Sequence, residues 1–254
     1  MMMFASINFP INTKCMLYLT FAFLIYNNLI WFHEMILSAL RLSLLVVCIA
    51  TLLIAVIGTA LGFLLARRCF PGKELLDAVL TLPMVLPPTV TGYYLILLLG
   101  RRGLMGAPLY NLTGWSVTFT WVAAVIASTV VAIPLMIKSA RAAIESVNPD
   151  YENVSRIMGK GEWETFFRVT LPLAGNGIIA GVILSFARAF GEFGATLMLA
   201  GNISGKTQTM PLAIYEAMAA GEDGVAAWLA GILTLISIIV VYITNRLSRP
   251  TERC

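Results

Sequence analysis

The sequence predicts an all-α integral membrane protein, a polytopic bundle of five transmembrane helices with a sixth at the N-terminus. Two observations carry this. With 59% hydrophobic and only 12% charged residues among 254, and a mean hydropathy of +0.87, the chain is too apolar for a soluble domain, in which roughly 25% of residues are charged. The apolar residues also fall into blocks long enough to span a bilayer, separated by charged connectors. A net charge of +4 and a pI near 9.0 are the ordinary balance of a membrane protein with excess Lys and Arg on its cytoplasmic side, so they do not argue for nucleic acid.

Along the chain, the first apolar run is Cys15 to Phe32, interrupted by Asn27-Asn28 and flanked by Lys14. It reads as a first transmembrane helix, an uncleaved signal, or an upstream extension with the start at Met35; residues 1–34 are therefore set apart from a transmembrane domain over 35–246 and a cytoplasmic tail over 247–254. From Ile36 to Ala66 a long helix is expected, stopped by Arg67-Arg68 and the turn Pro71-Gly72. Gly58 and Gly62, four residues apart, give it a face that another helix can approach closely.

Leu75 to Gly100 reads as a span broken near its start by Pro83 and Pro87-Pro88, with Thr89 and Thr91 directly after. Inside a bilayer such a break is tolerated only where protein or a water-filled cavity satisfies the freed backbone groups. Pro87 to Gly92 is thus a candidate pore-lining kink. Beyond Arg101-Arg102-Gly103 come Ser116–Ile137, which contains Pro134, then a long charged loop, Leu173–Leu199, a polar connection over Gly201–Gly224, and Ala226–Tyr242.

The loop from Ile144 to Pro172 far exceeds the ~2–8 residues that join bundled helices, which points to something outside the membrane that reads it. Asn148 can cap a helix with Pro149 at its first position and Asp150 and Glu152 in its first turn. Gly159-Lys160-Gly161 ends that helix through a left-handed glycine. A second short helix, Glu162 to Val169, places Trp163, Phe166 and Phe167 on one face and is closed by Leu171-Pro172.

Gly159, then Val169 and Leu171-Pro172, reproduce a spacing that resembles the cytoplasmic EAA loop of bacterial ABC-importer permeases. Where that family has Glu-Ala-Ala, this chain has Asn153, Val154 and Ser155, with Glu152 one place earlier. Phe70-Pro71-Gly72-Lys73 with Leu75-Leu76-Asp77, Leu82-Pro83, Leu86-Pro87-Pro88, Gly100-Arg101-Arg102-Gly103, and Phe186-Ala187-Arg188 with Gly191-Glu192-Phe193-Gly194-Ala195-Thr196 are together similar to the molybdate ABC-transporter permease. Sulfate and tungstate permeases look similar around Phe186–Thr196.

The resemblance implies a type I ABC-importer permease fold and transport of a tetrahedral oxyanion by alternating access. It also implies two cytoplasmic ATPase subunits that receive the loop, a second copy of this chain, and a periplasmic oxyanion-binding protein. ATP and magnesium would sit on the partner ATPase, since this chain has no nucleotide loop and binds no cofactor of its own. The coupling residues it marks are Glu152, Asn153, Val154, Ser155, Gly159, Lys160, Gly161, Trp163, Leu171 and Pro172. Candidates for the substrate pathway are Pro87, Pro88, Thr89, Thr91, Arg188, Glu192 and Thr196, with the Gly191 and Gly194 backbone. Arg188 and Glu192, four apart in an apolar helix, read either as an electrostatic element beside the pathway or as a mutually neutralising pair that packs helices.

No catalytic residue is expected. The single histidine, His33, and the scattered Cys15, Cys48, Cys69 and Cys254 offer no metal-ligand spacing. A rival class, a secondary transporter working without ATP, suits the kinked helices but not the long charged loop. Orientation follows from Arg67, Arg68, Lys73, Lys138, Arg141, Arg156, Lys160, Arg168, Arg246, Arg249 and Arg253 on one side, against Arg41, Arg101, Arg102 and Lys206 near the other. The positive-inside rule then makes the loop and the C-terminus cytoplasmic.

Overall fold

The computed structural model describes the backbone of residues 13–247 and, of their side chains, those of 34–243 and 246. Every regular element among the described residues is helical. Arg249 and Arg253 lie outside the described residues.

Helix α1 runs without interruption from Thr13 to Arg67. Two apolar runs expected as separate spans are thus collinear. The reason is local: the stretch from Thr13 to Val56 has neither Gly nor Pro, and Asn27-Asn28 cost only a few tenths of a kcal/mol each in a helix. The portion Glu34–Arg67 is long and apolar enough to cross a membrane.

After the turn at Gly72, α2 (Lys73–Val85) carries Pro83 inside it, so Pro83 does not break the span. The break falls at Leu86-Pro87, where both residues are extended, because a residue that precedes proline is driven out of the helical region. Pro88 then starts α3 (Pro88–Leu99). The two axes differ by 117°, so the expected kink is a sharp change of direction. A short helix unannounced by the sequence, α4 (Gly106–Thr113), follows.

Helix α5 (Trp121–Glu145) starts later and ends later than the expected Ser116–Ile137. Thr120 fixes its start, its side chain accepting from the Ala123 N–H; Pro134 sits inside it without a break. Then come α6 (Pro149–Ile157), α7 (Glu162–Thr165), a π-helical turn (Phe166–Thr170) and α8 (Leu171–Leu173). The expected span Leu173–Leu199 is two helices, α9 (Gly175–Phe190) and α10 (Gly194–Ala200), separated at Gly191-Glu192-Phe193. The polar connection holds α11 (Met210–Ala219), and α12 (Asp223–Leu247) ends the described chain.

α5 is the centre of the bundle, packed between α1 and α9 with α2 and α10 beside it. Close approach depends on glycine. A Cβ at Gly58 would lie 2.6 Å from Met136 Cγ, and one at Gly62 would lie 2.7 Å from Ala140 Cβ, which makes α5 the helix that the Gly58–Gly62 face receives. By length and composition three helices can cross a membrane, and the bent pairs α2–α3 and α7/α8–α9 raise that to five at most.

Candidate functional site

The segment between α5 and α9 folds as a hairpin. Asn148 caps α6, its side chain accepting from the Asp150 N–H at 2.9 Å, with Pro149 first in the helix. The chain reverses at Gly159 with φ +82°, a conformation glycine adopts without steric cost, and the Lys160 N–H returns to the Ser155 carbonyl at 3.2 Å. Gly161 leads into α7. These features match the sequence expectation.

Leu171-Pro172 departs from it. The second arm does not end there: Glu162 to Leu173 is one continuous rod, and the 77° bend falls at Ala174. Pro172 has no N–H and its ring would crowd the carbonyl four residues back. The preceding turn therefore widens, the Leu171 N–H donating to Phe166 O, five residues earlier.

The hairpin has an inner and an outer face. Ser155 and Thr165, both buried, join the two arms through hydroxyls 2.9 Å apart. Glu152 is only 3% exposed and points inward, where its Oε1 accepts from Arg67 Nε at 3.0 Å and from the Thr170 hydroxyl at 2.8 Å. The expected aromatic face divides: Phe166 turns inward to meet Phe63 of α1 edge-on, ring centroids 4.7 Å apart, whereas Trp163 and Phe167 stack on the outer face. There they join Tyr151, Val154, Ile157 and Met158, all exposed, Ile157 to 85% and Trp163 to 78%. Asn153 is exposed too and accepts from Arg156.

A second constellation gathers the two breaks. A Cβ at Gly194 would lie 3.0 Å from Pro88 Cβ and 3.2 Å from the Thr89 nitrogen, and one at Gly92 would lie 2.9 Å from Ala195 Cα. The turn before α3 and the start of α10 thus touch. Pro87 and Thr89 are exposed, whereas Thr91 and Thr196 are buried with hydroxyls that have no hydrogen-bond partner among the described residues. Arg188 and Glu192 are not in one helix as expected, because α9 ends at Phe190 and Glu192 stands in the break. Its Oε2 takes a 2.7 Å bond from Arg188 Nη1 and its Oε1 accepts the Ala195 N–H at 2.9 Å, so it binds the end of α9 to the first turn of α10. Among the described residues no group of His, Cys, Asp or Glu is arranged to hold a metal.

Residues 58–253 match the sequence profile of the binding-protein-dependent transport system inner membrane component. The chain belongs to this family. Among relatives of this binding-protein-dependent transport component, the molybdenum transport system permease protein ModB of Escherichia coli K12 is 44% identical over 216 residues, 84% of this chain and 94% of the relative. The putative molybdenum transport system permease protein YvgM of Bacillus subtilis is 41% identical, over 81% of this chain and 91% of the relative. The sulfate transport system permease protein CysW of Synechococcus elongatus is 36% identical, over 85% and 75%. The fold is shared with a chain of the MetNI methionine ABC transporter, at TM-score 0.67, 16% identity, 87% of this chain and 97% of that one. It is shared also with a chain of a bacterial alginate ABC transporter in complex with a periplasmic protein, at TM-score 0.70, 17% identity, 94% and 89%.

For this inner membrane component, sequence reasoning missed the groups that seat the hairpin, namely Arg67, Phe63, Thr165 and Thr170. It also missed the cluster that fixes α2 to α5, in which Asp77 pairs with Lys138 at 2.7 Å and with Arg141 at 3.0 Å. Arg67-Arg68 carried the signal of a helix stop, which concealed that Arg67 has a buried partner. Asp77 gave no local signal, because its partners are more than 60 residues away.

Proposed function

We propose that this chain is the transmembrane permease subunit of an ATP-driven importer that moves a tetrahedral oxyanion, molybdate, into the cytoplasm by alternating access. The observation that carries the reading is the hairpin. It is a preorganised pair of helices whose inner face is held by the bundle and whose outer face leaves Tyr151, Val154, Ile157, Met158, Trp163 and Phe167 uncovered. Exposed large apolar side chains gathered on a charged segment in this way mark a protein interface. The partner that fits is a cytoplasmic ATPase, two copies to a dimer of this chain, each holding ATP and magnesium. A periplasmic binding protein would deliver the anion at the opposite end.

A ligand can move a conformational equilibrium only by interacting differently with the two states. A hairpin that kept the same seat in both would transmit nothing, so ATP-driven closure must change what grips this face. The outer-face residues Val154 and Trp163 serve as contacts, whereas Ser155, Gly159, Gly161, Leu171 and Pro172 shape the hairpin and Lys160 follows its turn. The passage is assigned to the junction of Pro87, Pro88 and Thr89 with Gly194. There Thr91, Thr196, Arg188 and Glu192 line or brace it, and strongly binding charges would retard release of the anion.

Identity with molybdenum permeases favours molybdate, and the 36% identity with a sulfate permease makes sulfate the second reading. Uptake of labelled molybdate, tungstate and sulfate by cells stripped of their own oxyanion transporters, with this chain expressed beside its ATPase and binding protein, decides between them. Molybdate uptake that excess sulfate barely inhibits is expected; uptake of sulfate alone would assign the chain to sulfate.

A further inference from the structure

The inner face of the hairpin has a task of its own, and Arg67 is its hub. Arg67 is the last residue of α1. Its Nε donates to Glu152 Oε1 and its Nη2 lies 2.9 Å from the same oxygen. Nη2 also donates at 2.9 Å to the carbonyl of Val147, in the link between α5 and α6. Glu152 Oε1 accepts the Thr170 hydroxyl as well, so one carboxylate oxygen holds both the end of α1 and the second arm of the hairpin. Oε2 faces Arg156 at 3.7 Å, and Arg156 in turn bonds Glu162 on α7. The Arg67 and Glu152 side chains are 15% and 4% exposed, and Phe63 on Phe166 closes the apolar side of the same seam.

The join to α9, the next helix in sequence, is of another kind. It bends by 77° at Ala174, and a Cβ added at Gly175 would meet nothing within 4 Å. Ala174 itself is buried in the core, as is Val147 where α5 runs into α6, so the hairpin has several attachments to the bundle, and the open side of this join is at Gly175. Among the described residues the Arg67 seam is the one that holds both arms through a buried charge.

We propose that Arg67 and Glu152 form a latch through which the hairpin drives α1, so that the partner's stroke enters the membrane bundle at the end of α1 while Ala174-Gly175 acts as a hinge to α9. From α1 the motion passes to α5 across the close Gly58–Gly62 contact. A buried ion pair with satisfied hydrogen bonds fixes register better than it adds stability, which suits a joint. The proposal rests on the reading of the hairpin as the coupling segment and adds where its motion goes.

Two measurements on the assembled importer, with its ATPase and binding protein in proteoliposomes, test it. The first is uptake per ATP hydrolysed for Glu152→Gln, which keeps the side-chain shape but removes the charge. We expect the ATPase to remain bound and hydrolysis to continue, while uptake per ATP falls roughly five- to tenfold, the lower end of a typical coupling between sites. Unchanged uptake per ATP would overturn the latch, and so would loss of the ATPase from the variant, since Glu152 would then act in docking.

The second needs no change to the latch. Spin labels at Cys69 and Arg168→Cys, with the other cysteines replaced and labelled protomers diluted in unlabelled ones, should keep one distance between the nucleotide-free and ATP-trapped states. Labels at Arg168→Cys and Leu184→Cys should change distance. The reverse pattern would place the drive in α9 and overturn the proposal. A wild-type complex that hydrolyses ATP with no oxyanion uptake would instead refute the importer reading, and the latch with it, before any variant was compared.

Discussion

Gly194 sits so close to Pro88 that a Cβ on the glycine would be 3.0 Å from the proline Cβ. Neither α2–α3 nor α9–α10 is a straight span, and this contact is where the two broken spans meet. Each break frees backbone groups that a bilayer cannot satisfy; the contact brings the two breaks together, with Pro87, Thr89 and Gly191 still exposed.

This contact predicts a graded response at position 194. Gly194→Ala asks Pro88 and Thr89 to give by a few tenths of an ångström, and Gly194→Val asks for more, at roughly 1–3 kcal/mol for overpacking a close contact. Uptake should fall from Gly to Ala to Val while the ATPase stays bound. Because Thr89 Cγ2 would be 3.3 Å from the added methyl, Thr89→Ser should restore part of the Gly194→Ala loss. A double-mutant cycle on uptake rates measures that coupling, and strict additivity would remove this contact from the mechanism.

The divided aromatic face predicts opposite outcomes for neighbouring residues. Phe166 is buried against Phe63, so Phe166→Ala should cost roughly 3–5 kcal/mol in seating the hairpin and expose it to protease. Among the described residues, the one aromatic ring that Trp163 stacks on is Phe167, and Trp163 is 78% exposed. Trp163→Ala should leave protease resistance and permease abundance unchanged and reduce ATPase retention. Co-purification measured beside limited proteolysis separates the two.

Orientation gives a third prediction. A cysteine at Met158, which is 71% exposed, should resist a membrane-impermeant thiol reagent in intact cells that express this chain without its ATPase and react once the membrane is opened, in a background without native cysteines. Ser155 is unsuitable for this purpose, being buried against Thr165. Labelling from outside would reverse the assignment of the whole hairpin.

What the sequence disclosed follows the range of the forces involved. The ends of α6 were legible because Asn148-Pro149 and Gly159 act on backbone groups within a few residues. The break at Gly191–Phe193 was not, since hydropathy continues across it and composition carries no direction. Continuity of α1 was hidden by Asn27-Asn28, which look like an interruption but do not stop a helix. Arg67 and Glu152 are 85 residues apart, and nothing in either neighbourhood names the other. The two stretches proposed for the pathway were each visible as a local anomaly, Pro87-Pro88 and Gly191–Gly194, yet only the packing of α3 on α10 brings them together.

The turn of the hairpin yields the last prediction. Gly159 has φ +82°, and a Cβ there would meet no atom within 4 Å, so any penalty for substitution comes from the backbone and not from crowding. A β-branched residue in this region costs ~1 kcal/mol or more, whereas asparagine enters it with little strain. Gly159→Val should therefore tilt the rod from Glu162 to Leu173 and carry Trp163 and Phe167 away from their place on the outer face. Gly159→Asn should leave them in position. The membrane bundle is built elsewhere, around α5, and permease abundance should be the same for both. ATPase co-purification and oxyanion uptake, measured in the same membranes, are expected to fall together for valine and to stay near wild type for asparagine. Equal loss in both variants would mean that the partner needs the bare glycine surface itself. Full retention in both would show that the outer face does not depend on the angle between the arms, and the hairpin would lose its assigned role in coupling.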